Sequence, residues 1–96
     1  MRTFDVEILM VPGWTDSGPD HWQTRWQTRL KTSRRVEQDD WDVVDCAKWS
    51  ARLLEAIAFA VKPVVLVAHS CGVPLVAHAA PRNADKKVVG AFLVAP

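Results

Sequence analysis

"VVLVAHSCGVPLVAHAA", residues 64–80, sets three pieces of different character end to end. "VVLVAH" is apolar on both faces, the mark of a central parallel strand covered by helices on each side. "SCG" is a turn of small residues with a serine in it. "VPLVAHAA" reads as a helix, ended by "PRNADKK". A strand that runs through a tight turn into a helix is the repeating step of an α/β sheet.

The alternation continues on both sides. "VEILMVPG" (residues 6–13) is a short β-branched run ending at Pro12-Gly13, a strand with a turn behind it. After the polar loop "WTDSGPD", Asp20 stands at an N-cap position with Gln23 three residues later, which predicts a helix start. Trp22, Trp26 and Leu30 then recur every four residues as one apolar stripe, with Arg25, Arg29 and Lys31 off it. The tandem "WQTRWQTR" invites a reading as a basic binding helix. An amphipathic helix laying Trp rings on a sheet, with its arginines in solvent, accounts for it more simply.

"RRVEQDDWDVVD" predicts a short strand near Val36 and a polar turn through Asp39-Asp40. Trp49, Leu53, Ile57 and Val61 again fall at four-residue spacing, with Asp45 as cap and Lys62-Pro63 as stop. "VVGAFLVAP" is a last apolar strand. The order β-α-(β)-α-β-α-β predicts an α/β fold: a three-layer, doubly wound, mostly parallel sheet. In such sheets the chemistry collects at the carboxyl ends of the strands. Pro12-Gly13-Trp14, the Ser70 turn and Ala95-Pro96 all fall there.

Composition narrows the function classes. Ninety-six residues, 49% hydrophobic and 24% charged, describe one small globular domain. A net charge of +1 gives no argument for nucleic acid or an anionic membrane as partner. The basic run "RWQTRLKTSRR" is offset by dispersed acids. "MRTFDVEILMVPGW" lacks a basic stretch followed by a long apolar one, so no secretion signal is read there. The apolar runs are too short to span a bilayer. Cys46 and Cys71 form neither a CxxC pair nor a disulfide framework, and read as two buried, reduced cysteines of a cytoplasmic protein. Asp16, Asp20 and His21 share a loop, but no second cluster completes a metal-ligand set. Pro12-Gly13 lacks the further glycines and the Lys-Ser/Thr ending of a phosphate loop. Neither metal nor cofactor is expected.

The serine carries the chemistry. A hydroxyl is a weak nucleophile unless its geometry is forced and a base takes its proton. A sharp strand-to-helix turn lifts Oγ clear of the sheet, and it needs small residues two before and two after the serine. Here they are Ala68 and Gly72. The turn also aims the first amides of the next helix at a reacting carbonyl oxygen, so the N–H of Cys71 is one candidate oxyanion donor. The N–H of Trp14, just past Pro12-Gly13, is a second.

"VLVAHSCG" resembles the nucleophile elbow of α/β-hydrolases, with Ala68 in place of the first glycine of G-x-S-x-G. "ILMVPGWTDSGPDHWQTRW" and "VVGAFLVAP" are similar to segments of the small serine hydrolases grouped with the retinoblastoma-binding-protein-9 and YdeN-like proteins. The resemblance covers nearly the whole chain. It implies a serine hydrolase acting on an ester, amide or thioester bond of a small-molecule or peptide substrate. Ser70 would be the nucleophile, and Cys71 and Trp14 the oxyanion hole.

Hydrolases of this fold carry their triad in the order Ser, Asp or Glu, His. After Ser70 the chain has one histidine, His78, and one acid, Asp85, in the reverse order. His78 falls about two turns along the helix leading away. Asp85 is expected in a loop at the far end of the sheet. His69 precedes the serine on a strand and should face the opposite side. His21 borders the pocket and is a candidate substitute base, but nothing nearby is clearly placed to orient its imidazole, and its plain reading is a first-turn helix residue that helps shape the loop. The chain therefore reads as the N-terminal part (residues 1–96) of a single α/β-hydrolase domain, cut after the strand ending at Pro96, with little turnover by itself. The alternative is a non-catalytic binding or assembly module on a hydrolase half-fold, associating with itself through the exposed last strand.

Overall fold

The computed structural model describes residues 5–13, 18, 21–79 and 87–94. Trp14, Asp16, Asp20, Asp85, Ala95 and Pro96 lie outside the described residues, with the expectations placed on them.

Seven elements follow in the expected order: β1 (Glu7–Val11), α1 (Trp22–Arg29), β2 (Ser33–Arg35), α2 (Cys46–Phe59), β3 (Val64–His69), α3 (Gly72–Ala79) and β4 (Val88–Val94). The strands form one sheet in the order β2-β1-β3-β4. All three pairings are parallel. Val11 lies opposite Ala68, and His69 opposite Val94, so β1, β3 and β4 end together at one edge.

The sheet is covered on both sides, which is why β1 and β3 are apolar without alternation. Leu9 and Val11 of β1 and Leu66 and Ala68 of β3 point into a core with Trp49 and Leu53 of α2 and Leu75, Val76 and Ala79 of α3. Ile8, Met10 and Val67 point the other way, into a smaller core flanked by Trp22 and Leu30. This is the three-layer α/β arrangement.

Four local expectations need correction. The N-cap of α1 is His21, not Asp20: its Nδ1 accepts the N–H of Gln23 at 3.2 Å. The stripe does lie on the sheet, Trp22 and Trp26 both packing on Phe92 of β4, but Trp26 stays 39% exposed and the fully buried residue of α1 is Gln23. Helix α2 stops at Phe59, so Val61 lies beyond it and is 90% exposed. There the Glu7 carboxylate accepts the N–H groups of Val61 and Lys62, at 2.6 and 3.1 Å, and fixes the chain in a non-helical course ahead of Pro63. Cys46 is exposed in the first turn of α2 rather than buried, and Cys71 is half-buried; both are free thiols.

Other expectations hold. Asp45 caps α2, its Oδ1 accepting the Lys48 N–H at 3.0 Å. The short strand near Val36 is β2, and Val36 itself is buried with its N–H on the carbonyl of Met10. Among the described residues no helix is long and apolar enough to cross a membrane.

Candidate active site

The Pro12-Gly13 turn and the turn from Ser70 to Gly72 meet where β1 and β3 end. Ser70 follows β3 and, alone among the described non-glycine residues, has a positive φ, 54°. The left-handed region costs a side-chain-bearing residue on the order of 1–3 kcal/mol and persists only where its surroundings enforce it. Here the Ser70 N–H donates to the carbonyl of Val94 at 3.1 Å. Its own carbonyl accepts the N–H of Val73 at 3.0 Å. The backbone is pinned on the β4 side and on the α3 side at once. Pro74 falls in the first turn of α3, where its missing N–H would have had no intrahelical acceptor.

Two glycines make room for this turn. A Cβ on Gly72 would stand 2.3 Å from the carbonyl oxygen of Val11, a backbone atom that cannot step aside. A Cβ on Gly13 would stand 2.9 Å from the Cβ of Ser70 and 3.1 Å from the nitrogen of Cys71. The Pro12-Gly13 turn therefore lies directly against the serine turn. Ala68 is fully buried beneath it.

The N–H of Cys71 has no acceptor among the described residues, and it stands just ahead of α3. Such an amide, at the positive end of a helix, can donate to an oxygen that gains negative charge. The second candidate donor, Trp14, lies outside the described residues.

The histidines divide by role. His21 and His69 stack edge to face with ring centroids 4.5 Å apart, and Trp22 packs on both at 5.6 and 5.8 Å. His69 thus faces the α1 side, as strand alternation requires, and its Nδ1 is buried with no hydrogen-bond partner among the described residues. The Nδ1 of His21 is engaged as the helix cap. His78 is exposed in the last turn of α3. Among the described residues no histidine is hydrogen-bonded to Ser70. Nor does any group of three His, Cys, Asp or Glu side chains stand ready to hold a metal ion.

Sequence reasoning missed Gln23. Its carboxamide is fully buried, and Nε2 donates to the carbonyl of Val11 at 3.2 Å and to that of Val67 at 2.9 Å. A Gln three residues after a cap candidate suggests a capping box, which turns the side chain back along its own helix. The one available hint lay elsewhere, in its place beside Trp22 on a face that had to meet the sheet.

Comparison with known proteins fits this geometry. Residues 8–96 match the model of a family described as serine hydrolase. Among solved structures, the chain is similar to a YdeN-like hydrolase from Pectobacterium atrosepticum, with a TM-score of 0.86 and 26% identity. The match covers 95% of this chain and 49% of that one, so the chain spans about half the length of the solved relative. No curated protein matches it.

Proposed function

The chain belongs to the serine hydrolase family, and from that premise we propose that Ser70 is its nucleophile, attacking the carbonyl of an ester, amide or thioester. The observation that carries the proposal is the positive φ of Ser70 between β3 and α3. A hydroxyl on such a turn stands clear of the sheet edge, within reach of a substrate. Ser70 Oγ bonds to the acyl carbon as its proton passes to a base, the leaving group departs with a proton, and water then releases the acid. The N–H of Cys71 faces the oxygen that gains charge, with the N–H of Trp14 as second donor. Ala68 and Gly72 keep the turn narrow enough to form. The substrate is a small-molecule or peptide acyl compound, and the reaction calls for no cofactor. The two free thiols are in keeping with a reducing, cytoplasmic setting.

The base, and the acid that orients it, come from polypeptide outside the described residues. Supporting this are the lack of any described histidine on Ser70 and the share of the solved relative that the chain leaves unmatched. A serine without its base loses most of its rate, so these residues alone turn over slowly.

A fluorophosphonate probe with peptide mapping tests the assignment. With imidazole present as a diffusible base, label is expected on the Ser70 peptide of the parent chain and absent from Ser70→Ala. Above the rate imidazole gives with no protein, added imidazole should speed aryl-ester hydrolysis by the parent chain and not by Ser70→Ala. Equal labelling, or equal imidazole response, of the two proteins rules the nucleophile out.

One observation favours a second reading. β4 carries no charge from Val88 to Val94, and Val89, Phe92 and Leu93 are each about half exposed on it. Such an edge invites pairing with a second copy. Light scattering on the parent chain and on Leu93→Lys separates the readings: a stable inactive dimer lost in the variant favours assembly, and a monomer in both excludes it.

A further inference from the structure

We propose that Gln23 is a positioning residue: its buried carboxamide ties the end of β1 to the end of β3 and so holds the Gly13 turn against the Ser70 turn. The proposal rests on the reading of Ser70 as nucleophile, and goes beyond it by assigning a function to α1.

A glutamine amide carries two N–H donors, and the structure uses one on each strand, 3.2 Å to the carbonyl of Val11 and 2.9 Å to that of Val67. Both acceptors lie close to the chemistry. Val67 is three residues before Ser70 on β3. Val11 leads through Pro12 into Gly13, and its carbonyl oxygen is the atom a side chain at Gly72 would strike at 2.3 Å. One carbonyl is thus held between the Gln23 amide on one side and the start of α3 on the other. Its position sets how closely the β1 turn approaches the serine.

The donor is itself held. The N–H of Gln23 donates to Nδ1 of His21 at 3.2 Å, which fixes the first turn of α1. The ring of His21 then packs on His69, the residue before Ser70. Helix α1 therefore reaches the serine turn by two routes, a polar one through Gln23 and an aromatic one through His21. Burying a glutamine is costly unless its hydrogen bonds are made, so its full burial calls for such a task. An apolar side chain of the same length would serve packing alone.

The test separates positioning from mere support of the fold. Gln23→Met keeps the length of the side chain and removes both donors. Amide hydrogen exchange on the parent chain and the variant is read at two ends of the same strands. At the carboxyl end, the Ser70 N–H, bonded to Val94, is expected to lose protection by about 10-fold. At the amino end, the N–H groups of Glu7 and Val64, bonded to Pro63 and Lys87, should keep theirs. The rate of Ser70 phosphonylation should also fall about 10-fold, with the half-saturating probe concentration unchanged. Equal loss of protection at both ends, or no loss at Ser70, overturns the proposal.

Gln23→Glu supplies a second check. As a carboxylate it has no donor, and on protonation it regains one, so Ser70 protection should be lower than in the parent at neutral pH and partly recover in acid. Failure of both variants to fold also overturns the proposal, because it assigns the residue to the site and not to the core. If the parent chain takes no phosphonate at Ser70 even with imidazole present, the nucleophile reading falls, while the exchange pattern still decides what Gln23 does.

Discussion

A side chain on Gly13 would put its first carbon 2.9 Å from the Cβ of Ser70, closer than two such carbons can stand. The turn after β1 and the turn after β3 are in contact through a glycine, and the serine depends on that contact for its surroundings. Gly13→Ala should therefore slow phosphonylation of Ser70 at a cost of about 1–3 kcal/mol in stability. Gly72→Ala meets a backbone carbonyl at 2.3 Å and should cost more. Urea melts of the two variants check the order; a milder effect at Gly72 would contradict the packing described.

Ser70 holds a left-handed backbone that glycine adopts freely. Ser70→Gly should remove the probe label and at the same time stabilise the chain, by about 1 kcal/mol or somewhat more. A matched thermal melt reads the second part. Loss of stability would mean that the serine side chain contributes more by its contacts than its backbone strain costs.

Burial pushes the carboxyl of Glu7 up, but the N–H groups of Lys62 and Val61 and the Arg34 guanidinium, 3.2 Å away, outweigh it and leave it below the ordinary carboxylate range. A carboxyl lowered by folding adds stability that is complete above its unfolded value and is lost as the pH falls through the folded one. Glu7→Gln should thus lower stability at neutral pH and flatten the acid limb of the stability profile. Parallel acid limbs in parent and variant would assign acid sensitivity to other groups.

His21 caps α1 through Nδ1, so His21→Ala should cost about 1 kcal/mol, and His21→Asn, which restores a side-chain acceptor, should recover most of it. Thermal melts at neutral pH suffice. An equal loss in both variants would locate the contribution of His21 in its stack on His69 and not in the cap.

The order of strands and helices along the chain and the small-residue turn at Ser70 were legible because each is written in short runs. "VVLVAH" is apolar on both faces because β3 has a neighbour on every side. Asp45 reads as a cap because capping involves residues three apart. The helix stop was misread at Val61 because the deciding group, the Glu7 carboxylate, lies 54 residues away in the chain. The α1 cap shifted from Asp20 to His21 for a related reason. The four-residue stripe and the capping pattern fix only that a helix begins nearby, while the register is set by which side chains fit the sheet.

By itself, then, the sequence determined the alternation of strands and helices, the parallel sheet this implies, and a serine between small residues at the end of a central strand. These follow from periodicity and from the steric limits of a turn, which act over a few residues. The tertiary structure alone decided what stands around that serine. It brought Gly13 against Ser70, His21 against His69, and the amide of Gln23 onto a carbonyl 44 residues away. Those contacts depend on how α1 is laid across the sheet, and a pattern of apolar spacing tells only which face of a helix is covered, not which atoms it meets.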